Sequence, residues 1–238
     1  MKRLIFSVIL VASLFSPLFA KTVGDISLPS GFQRIDTKEG SFSRYLRNLN
    51  LKEDGKVYSY RKKDLSHWYD SLGVIDKPLL FSDDLEQCAD FSMRLWADYH
   101  KDSGKLKDLY LFHYDGRKNK FTESQKTYVK FLRTAFASSN SHSLKQGGKK
   151  ITKENLTSGD LFVQNENGGI GHVSIILDES TNGKERLYLI GFSFMPAQEM
   201  HIEKAPSDRG KNGWFTYEGF IEHLKEKYPY GTPVLRRF

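Results

Sequence analysis

A single cysteine, Cys88, is the tightest constraint on this 238-residue chain. No disulfide can form within it, so an apolar core must supply the stability that cross-links supply elsewhere. The material for a core is present: 39% of the residues are hydrophobic and 13% aromatic, and about 220 residues bury a sizeable one. The same composition excludes collagen-like, low-complexity and wholly disordered chains. A mean hydropathy of −0.52, with no long apolar run after residue 20, excludes a polytopic membrane protein.

The thiol gains interest from the first twenty residues. Lys2 and Arg3 precede the apolar run Leu4 to Phe15, and small Ala20 stands at the expected cleavage edge. This pattern reads as a secretory signal peptide over residues 1–20. Residues 21–238 are then expected to form one α+β domain, secreted or periplasmic, monomeric and without an integral membrane segment. A leftover thiol in an exported chain is buried and inert, paired between chains, or reactive. The net charge is +7, or +5 without Lys2 and Arg3. The basic clusters Arg61-Lys62-Lys63, Lys145 to Lys150 and Arg236-Arg237 are short, and read as solvated surface or as attraction to an anionic envelope polymer. No motif points to nucleic acid.

Periodicity places helices first and strands later. Ser41 to Leu51 is helical with Ser41 as cap, and Lys56 to Tyr60 is a short strand followed by a polar loop to Pro78. Ser82-Asp83-Asp84 are cap candidates for the strongest helix, whose stripe holds Leu85, Cys88, Ala89, Ser92, Leu95, Trp96 and Tyr99. It closes at Ser103-Gly104. A strand at Leu109–His113, a helix at Ser124–Phe136 and a loop at Ser138–Lys150 follow. Strands are expected at Asp160–Val163, His172–Asp178 and Arg186–Phe194, the last two joined by an Asn182-Gly183 turn. Tyr217–Lys227 is helical and Thr232–Phe238 is a final strand. Helices followed by an antiparallel meander define an α+β chain.

A thiol becomes a nucleophile when a helix N-terminus or a histidine favours its thiolate, and a third polar group then orients the imidazole. Cys88 near a helix start and His172, opening a strand after glycines 168, 169 and 171, are the candidate pair. His201 competes with His172 as the base. Ser193 or Gln198 would orient the ring, and Gln87 or the backbone N–H groups around Cys88 would bind an oxyanion. Arg94, four residues before Asp98, is either a surface ion pair or a clamp for a substrate carboxylate. Trp214 is a candidate groove residue. The alternative reading of Cys88 is a small buried hydrophobe. There is no His-Glu-x-x-His or paired-Cys spacing, so neither a metal nor another cofactor is expected.

Gly159-Asp160-Leu161-Phe162-Val163 followed by Gly171-His172-Val173-Ser174-Ile175-Ile176 resembles the GDL(V/I)(F/V)…HV(G/A)I stretch of NlpC-type papain-like cell-wall peptidases. The resemblance implies a papain-like fold with helices packed on an antiparallel sheet. It also implies a strand-borne base at His172 and a nucleophile at Cys88. The usual Asp-Cys-Ser-Gly is replaced by Gln87-Cys88-Ala89-Asp90. Over most of the chain, Leu28-Pro29-Ser30-Gly31-Phe32, Ser41-Phe42, Gln87-Cys88-Ala89-Asp90 and Met195-Pro196-Ala197-Gln198 are together similar to an uncharacterised family of secreted bacterial proteins, domain of unknown function four-eight-four-six. The expectation is a cysteine peptidase or amidase acting on a cell-wall peptide or envelope protein. The alternative is a non-catalytic envelope-binding module on the same fold.

Overall fold

The computed structural model describes residues 21–238; the signal peptide expected over residues 1–20 lies outside the described residues. Among these, five α-helices accompany a large antiparallel sheet: α1 (Phe42–Arg47), α2 (Cys88–Asp102), α3 (Tyr128–Ser138), α4 (Ser141–Gly147) and α5 (Tyr217–Lys227). The early strands are β1 (Gln33–Arg34), β2 (Ser71–Val74), β3 (Tyr110–Phe112), β4 (Lys118–Lys120) and β5 (Lys149–Lys150). The later ones are β6 (Leu161–Gln164), β7 (His172–Thr181), β8 (Arg186–Phe192), β9 (His201–Glu203), β10 (Gly210–Lys211), β11 (Trp214–Phe215) and β12 (Val234–Arg237). The sheet runs β10-β11-β8-β7-β6-β12-β5, with β9 continuing from β8 to β2 and β1 beside the end of β7; β3 and β4 form a separate ribbon.

The central strand is β7. Apart from Thr181 it is buried throughout, and a strand covered on both faces needs a nearly continuous apolar run rather than alternation. Val173, Ile175 and Leu177 belong to the larger core with Phe91, Met93 and Leu95 of α2. Ile176 belongs to a second core with Ile190 and Phe192 of β8 and Phe220 and Leu224 of α5. The pairing of β7 with β8 shifts between Ile176 and Asp178, so Leu177 is an extra residue there. It presses on Gly191, where a Cβ would stand 2.5 Å from Leu177 Cδ1.

Just past this bulge lies a buried ion cluster. Arg34 Nε donates to Asp178 Oδ2 at 2.8 Å and Arg47 Nε to Asp178 Oδ1 at 2.8 Å. The Asp178 side chain is fully buried, so the two guanidiniums, from β1 and α1, lock the early chain onto β7.

The helices expected over Ser41–Leu51, Ser124–Phe136 and Tyr217–Lys227 form over Phe42–Arg47, Tyr128–Ser138 and Tyr217–Lys227, the first with Ser41 Oγ accepting from Arg44 N at 3.2 Å. Four details differ. Ser82-Asp83-Asp84 do not cap α2; Gln87 is its N-cap. The acidic side chains are engaged elsewhere: Asp84 Oδ1 accepts from Ala197 N at 2.6 Å, and Glu86 Oε2 accepts from Leu80 N at 2.7 Å. The stretch expected as a loop over Ser138–Lys150 holds α4, capped by Asn140 Oδ1 on His142 N at 2.8 Å. The polar loop before Pro78 contains β2. Lys56–Tyr60 makes single bridges, Tyr58 to Asp64 and Ser59 to Gln198, in place of a strand.

Removing one member of a buried ion cluster leaves its partners charged and desolvated. Asp178→Ala is expected to lower the unfolding free energy by about 3–5 kcal/mol, read as a fall in the urea midpoint at unchanged m-value.

Candidate functional site

Cys88 is the first residue of α2. Helical N–H groups in the first turn have no partner within the helix, and the helix dipole places partial positive charge there. The thiol faces the start of β7: Sγ lies 3.9 Å from Gly171 O, and the Val173 N–H also points at it. Its strand neighbours are thus the residues on either side of His172. The side chain is 5% exposed at the floor of a groove of about 430 Å³ lined by Asp84, Gln87, Asp90, Ile170 and Met195. Burial pushes the thiol up to about 12; the Val173 N–H opposes this and the Asp90 carboxyl adds to it.

A side chain at Gly171 has no room. A Cβ there would collide with Gln164 O and Ser141 Oγ. Asn165 braces the same loop: its Nδ2 donates to Ser141 Oγ and to Gly169 O, both at 2.8 Å, and its Oδ1 accepts from Gly168 N at 2.7 Å. Of the glycines seen in the sequence, Gly171 therefore serves a close approach that sets where β7 begins.

His172 is fully buried. Its ring stacks on Tyr228 at 4.8 Å and meets Phe192 edge-on at 4.7 Å. Nε2 lies 3.1 Å from Ser174 Oγ, while Nδ1 is buried with no hydrogen-bond partner. Burial lowers the imidazole to about 3; the nearby His201 lowers it further and Glu203 opposes. At neutral pH both the thiol and the imidazole are uncharged, and no hydrogen bond joins them.

His201, the competing base, belongs to another cluster. Its Nε2 donates to Glu203 Oε2 at 3.1 Å, while His223 Nε2 donates to Glu203 Oε1 at 2.8 Å and Lys227 Nζ to the same oxygen at 3.1 Å. Burial alone would raise the Glu203 carboxyl; the hydrogen bonds from His201 and His223 overcome it and hold Glu203 well below the usual carboxylate range. His223, which the sequence pairs with nothing, is one of the partners that satisfy this carboxylate.

Several candidate roles are not supported by the contacts. Ser193 Oγ donates to Gln198 O at 2.6 Å, and Gln198 Nε2 donates to the Tyr69 hydroxyl at 2.8 Å. Neither touches His172, and Ser174 occupies the position beside the ring. A period of two puts residues 172 and 174 on one face of the strand, which is the signal that would have found Ser174. Gln87 does line the groove, but its Nε2 is turned to Asp84 Oδ1 at 3.1 Å. Arg94 does pair with Asp98, Nε to Oδ2 at 3.4 Å, but the pair is buried, and Arg94 also donates to Glu86 Oε1 at 2.7 Å and Pro78 O at 2.8 Å, which leaves it engaged inside the protein. Trp214 is fully buried, its Nε1 donating to Ser27 O at 2.9 Å, and does not line the thiol groove.

Asp90 was missed. It is 6% exposed, its Oδ2 accepts from Gln87 N at 3.1 Å, and its Oδ1 has no partner. Burial raises this carboxyl well above its ordinary value. Among the described residues no group of three or more His, Cys, Asp or Glu side chains is arranged to hold a metal ion, and no helix is long and apolar enough to cross a membrane.

The chain belongs to the family described as Domain of unknown function (4846), whose model matches residues 23–123 and 114–236. No curated protein and no solved structure matched it.

The depressed imidazole makes a signed prediction. The folded protein keeps His172 neutral where the unfolded chain protonates near pH 6.5, so the unfolded state binds more protons and stability falls as the pH drops through that value. The contribution is about 1.5 kcal/mol between pH 6.5 and 5. Urea titrations of the native protein and His172→Gln, each at both pH values, are expected to show the variant losing less over this interval.

Proposed function

We propose that the groove at the start of α2 is the active site of a thiol-dependent amide hydrolase. One observation carries this reading: the chain's single thiol, at a helix N-terminus, rests against the backbone on either side of His172, whose buried Nδ1 has no partner. The Nε2–H tautomer, donating to Ser174 Oγ, leaves the lone pair on Nδ1. Thiol and imidazole are both neutral at rest, so proton transfer accompanies attack instead of preceding it. Cys88 Sγ bonds to the amide carbonyl carbon while His172 Nδ1 takes the thiol proton. The N–H groups of the first turn of α2 face the oxygen that becomes negative. His172 then protonates the departing amine as the C–N bond breaks, and water releases the acyl group from sulfur. Ser174 is the positioning residue for the ring.

The α+β arrangement of a nucleophile helix against an antiparallel sheet supports the papain-like reading. The proposed setting is the cell envelope, with a wall peptide or envelope protein as substrate. A second reading, a non-catalytic binding module, is favoured by the same groove's electrostatics: burial raises the thiol and lowers the imidazole, which suits a structural cysteine.

Iodoacetamide alkylation of Cys88 separates the two. On the hydrolase reading the thiol alkylates in the folded protein, and His172→Ala slows that reaction by about tenfold or more. A thiol that stays silent at every pH until denaturant is added overturns it and leaves the binding module.

A further inference from the structure

A second cleft is separate from the thiol groove but touches it. Its volume is about 750 Å³, and Tyr60, Arg61, Lys63, Trp68, Phe194 and Tyr228 form much of its wall. Asp84 and Met195 line both the cleft and the groove, so the two are neighbours along one path. The size and the mix of aromatic walls with polar and charged groups match a ligand site.

Three features show what it would hold. Trp68 is 71% exposed at the rim; an indole left in water beside a cleft is an anchor awaiting an apolar or planar partner. Arg61 and Lys63 have no ion-pair partner among the described residues. Their acidic neighbours are engaged: Asp64 pairs with Lys56 at 3.3 Å, Asp70 with Lys204 at 3.3 Å, Glu199 with Lys52 at 2.7 Å, and Asp84 Oδ1 accepts from Ala197 N and Gln87 Nε2. The turn that carries these cations is also held in place. The Ser59–Lys63 turn closes through Lys62 N to Ser59 O at 2.8 Å and Ser59 N to Lys63 O at 3.0 Å, with Lys62 in the left-handed region at φ 60°. Tyr60 N donates to Ala197 O at 2.8 Å, which fastens the turn to the segment flanking the groove. Arg61 Nε donates to the Tyr60 hydroxyl at 2.7 Å, leaving its terminal nitrogens free. A non-glycine residue held in this conformation marks a turn whose shape the surroundings impose.

We infer that this cleft is the recognition site for an acidic peptide segment, with its carboxylates on Arg61 and Lys63 and an apolar or aromatic side chain against Trp68. That the occupant is a peptide rests on the hydrolase reading, since a chain delivering its amide to Cys88 continues past Met195 and Asp84 into this cleft. Recognition by charge and stacking does not itself require cleavage.

The test uses two fluorescein-labelled octapeptides of alanine, tyrosine and glutamate, identical except that one has glutamine for every glutamate. Binding is followed by fluorescence anisotropy to the native chain and to Cys88→Ala, Trp68→Ala and Arg61→Gln/Lys63→Gln. The altered side chains in the last two variants are exposed, and melting curves check that they fold. The glutamate peptide is expected to bind about tenfold or more tightly than the glutamine peptide. The double variant should erase that preference, Trp68→Ala should weaken both peptides, and Cys88→Ala should leave both unchanged. Rising salt should weaken only the glutamate peptide. Equal affinity for the two peptides, or a preference that survives the double variant, overturns the inference. So does a site that ignores Trp68→Ala and releases the peptide to inorganic polyphosphate, which would make it an anionic-polymer site. Charge-selective binding beside a thiol that never alkylates sinks the hydrolase reading alone; a reactive thiol with no charge selectivity sinks this one alone.

Discussion

The candidate site depends on a backbone contact that admits no side chain. At Gly171 the chain passes against Gln164 O and Ser141 Oγ, and only a residue without a Cβ allows β7 to begin there. From that point the strand delivers Gly171 O and Val173 N to the thiol, His172 to the second core, Leu177 to the first, and Asp178 to its two arginines. One close approach therefore sets the register of groove and core together. A one-residue slip would exchange the faces of every later side chain on the strand.

Burial decides the electrostatics around β7, but its outcome varies with the partners available. For Cys88 and His172 the desolvation penalty dominates, and both rest uncharged. At Glu203 two imidazoles donate hydrogen bonds, and the charged form prevails in a site of comparable depth. At Asp90 the Gln87 N–H donates to Oδ2, and burial still raises the carboxyl well above its ordinary value. At Glu203 the imidazole donors outweigh the desolvation that raises the other carboxyl.

Local signals in the sequence were reliable where local forces act. Ser41 caps α1, α5 spans the expected Tyr217–Lys227, and the Asn182-Gly183 turn joins β7 to β8. Cys88 reaches the backbone on either side of His172, while the imidazole itself packs against Tyr228 and Phe192. The misses are tertiary. The start of α2 was misplaced because Asp84 and Glu86 serve distant backbone N–H groups. Arg94 read as surface because Glu86, which buries it, lies eight residues upstream and off the helix. Ser193 and Gln198 looked like orienting groups because they follow the histidine in a paired strand region, yet they bond to each other's segment and to Tyr69. The polar stretch around Asn140 hid a helix because its buried residues, Ser141, Ser143 and Leu144, are mostly small and polar.

The Ser59–Lys63 turn stands apart from all of this. No residue of it belongs to either large core, and it joins the strand side mainly through Tyr60 N on Ala197 O and the Ser59–Gln198 bridge. Those links are made by backbone atoms, which every residue type but proline supplies on both sides. The turn therefore behaves as an exchangeable cassette: the identity of the residues at 61 and 63 can change sign or size while the packing beneath it stays as it is. A chain built this way can be retargeted to a new partner without refolding its interior.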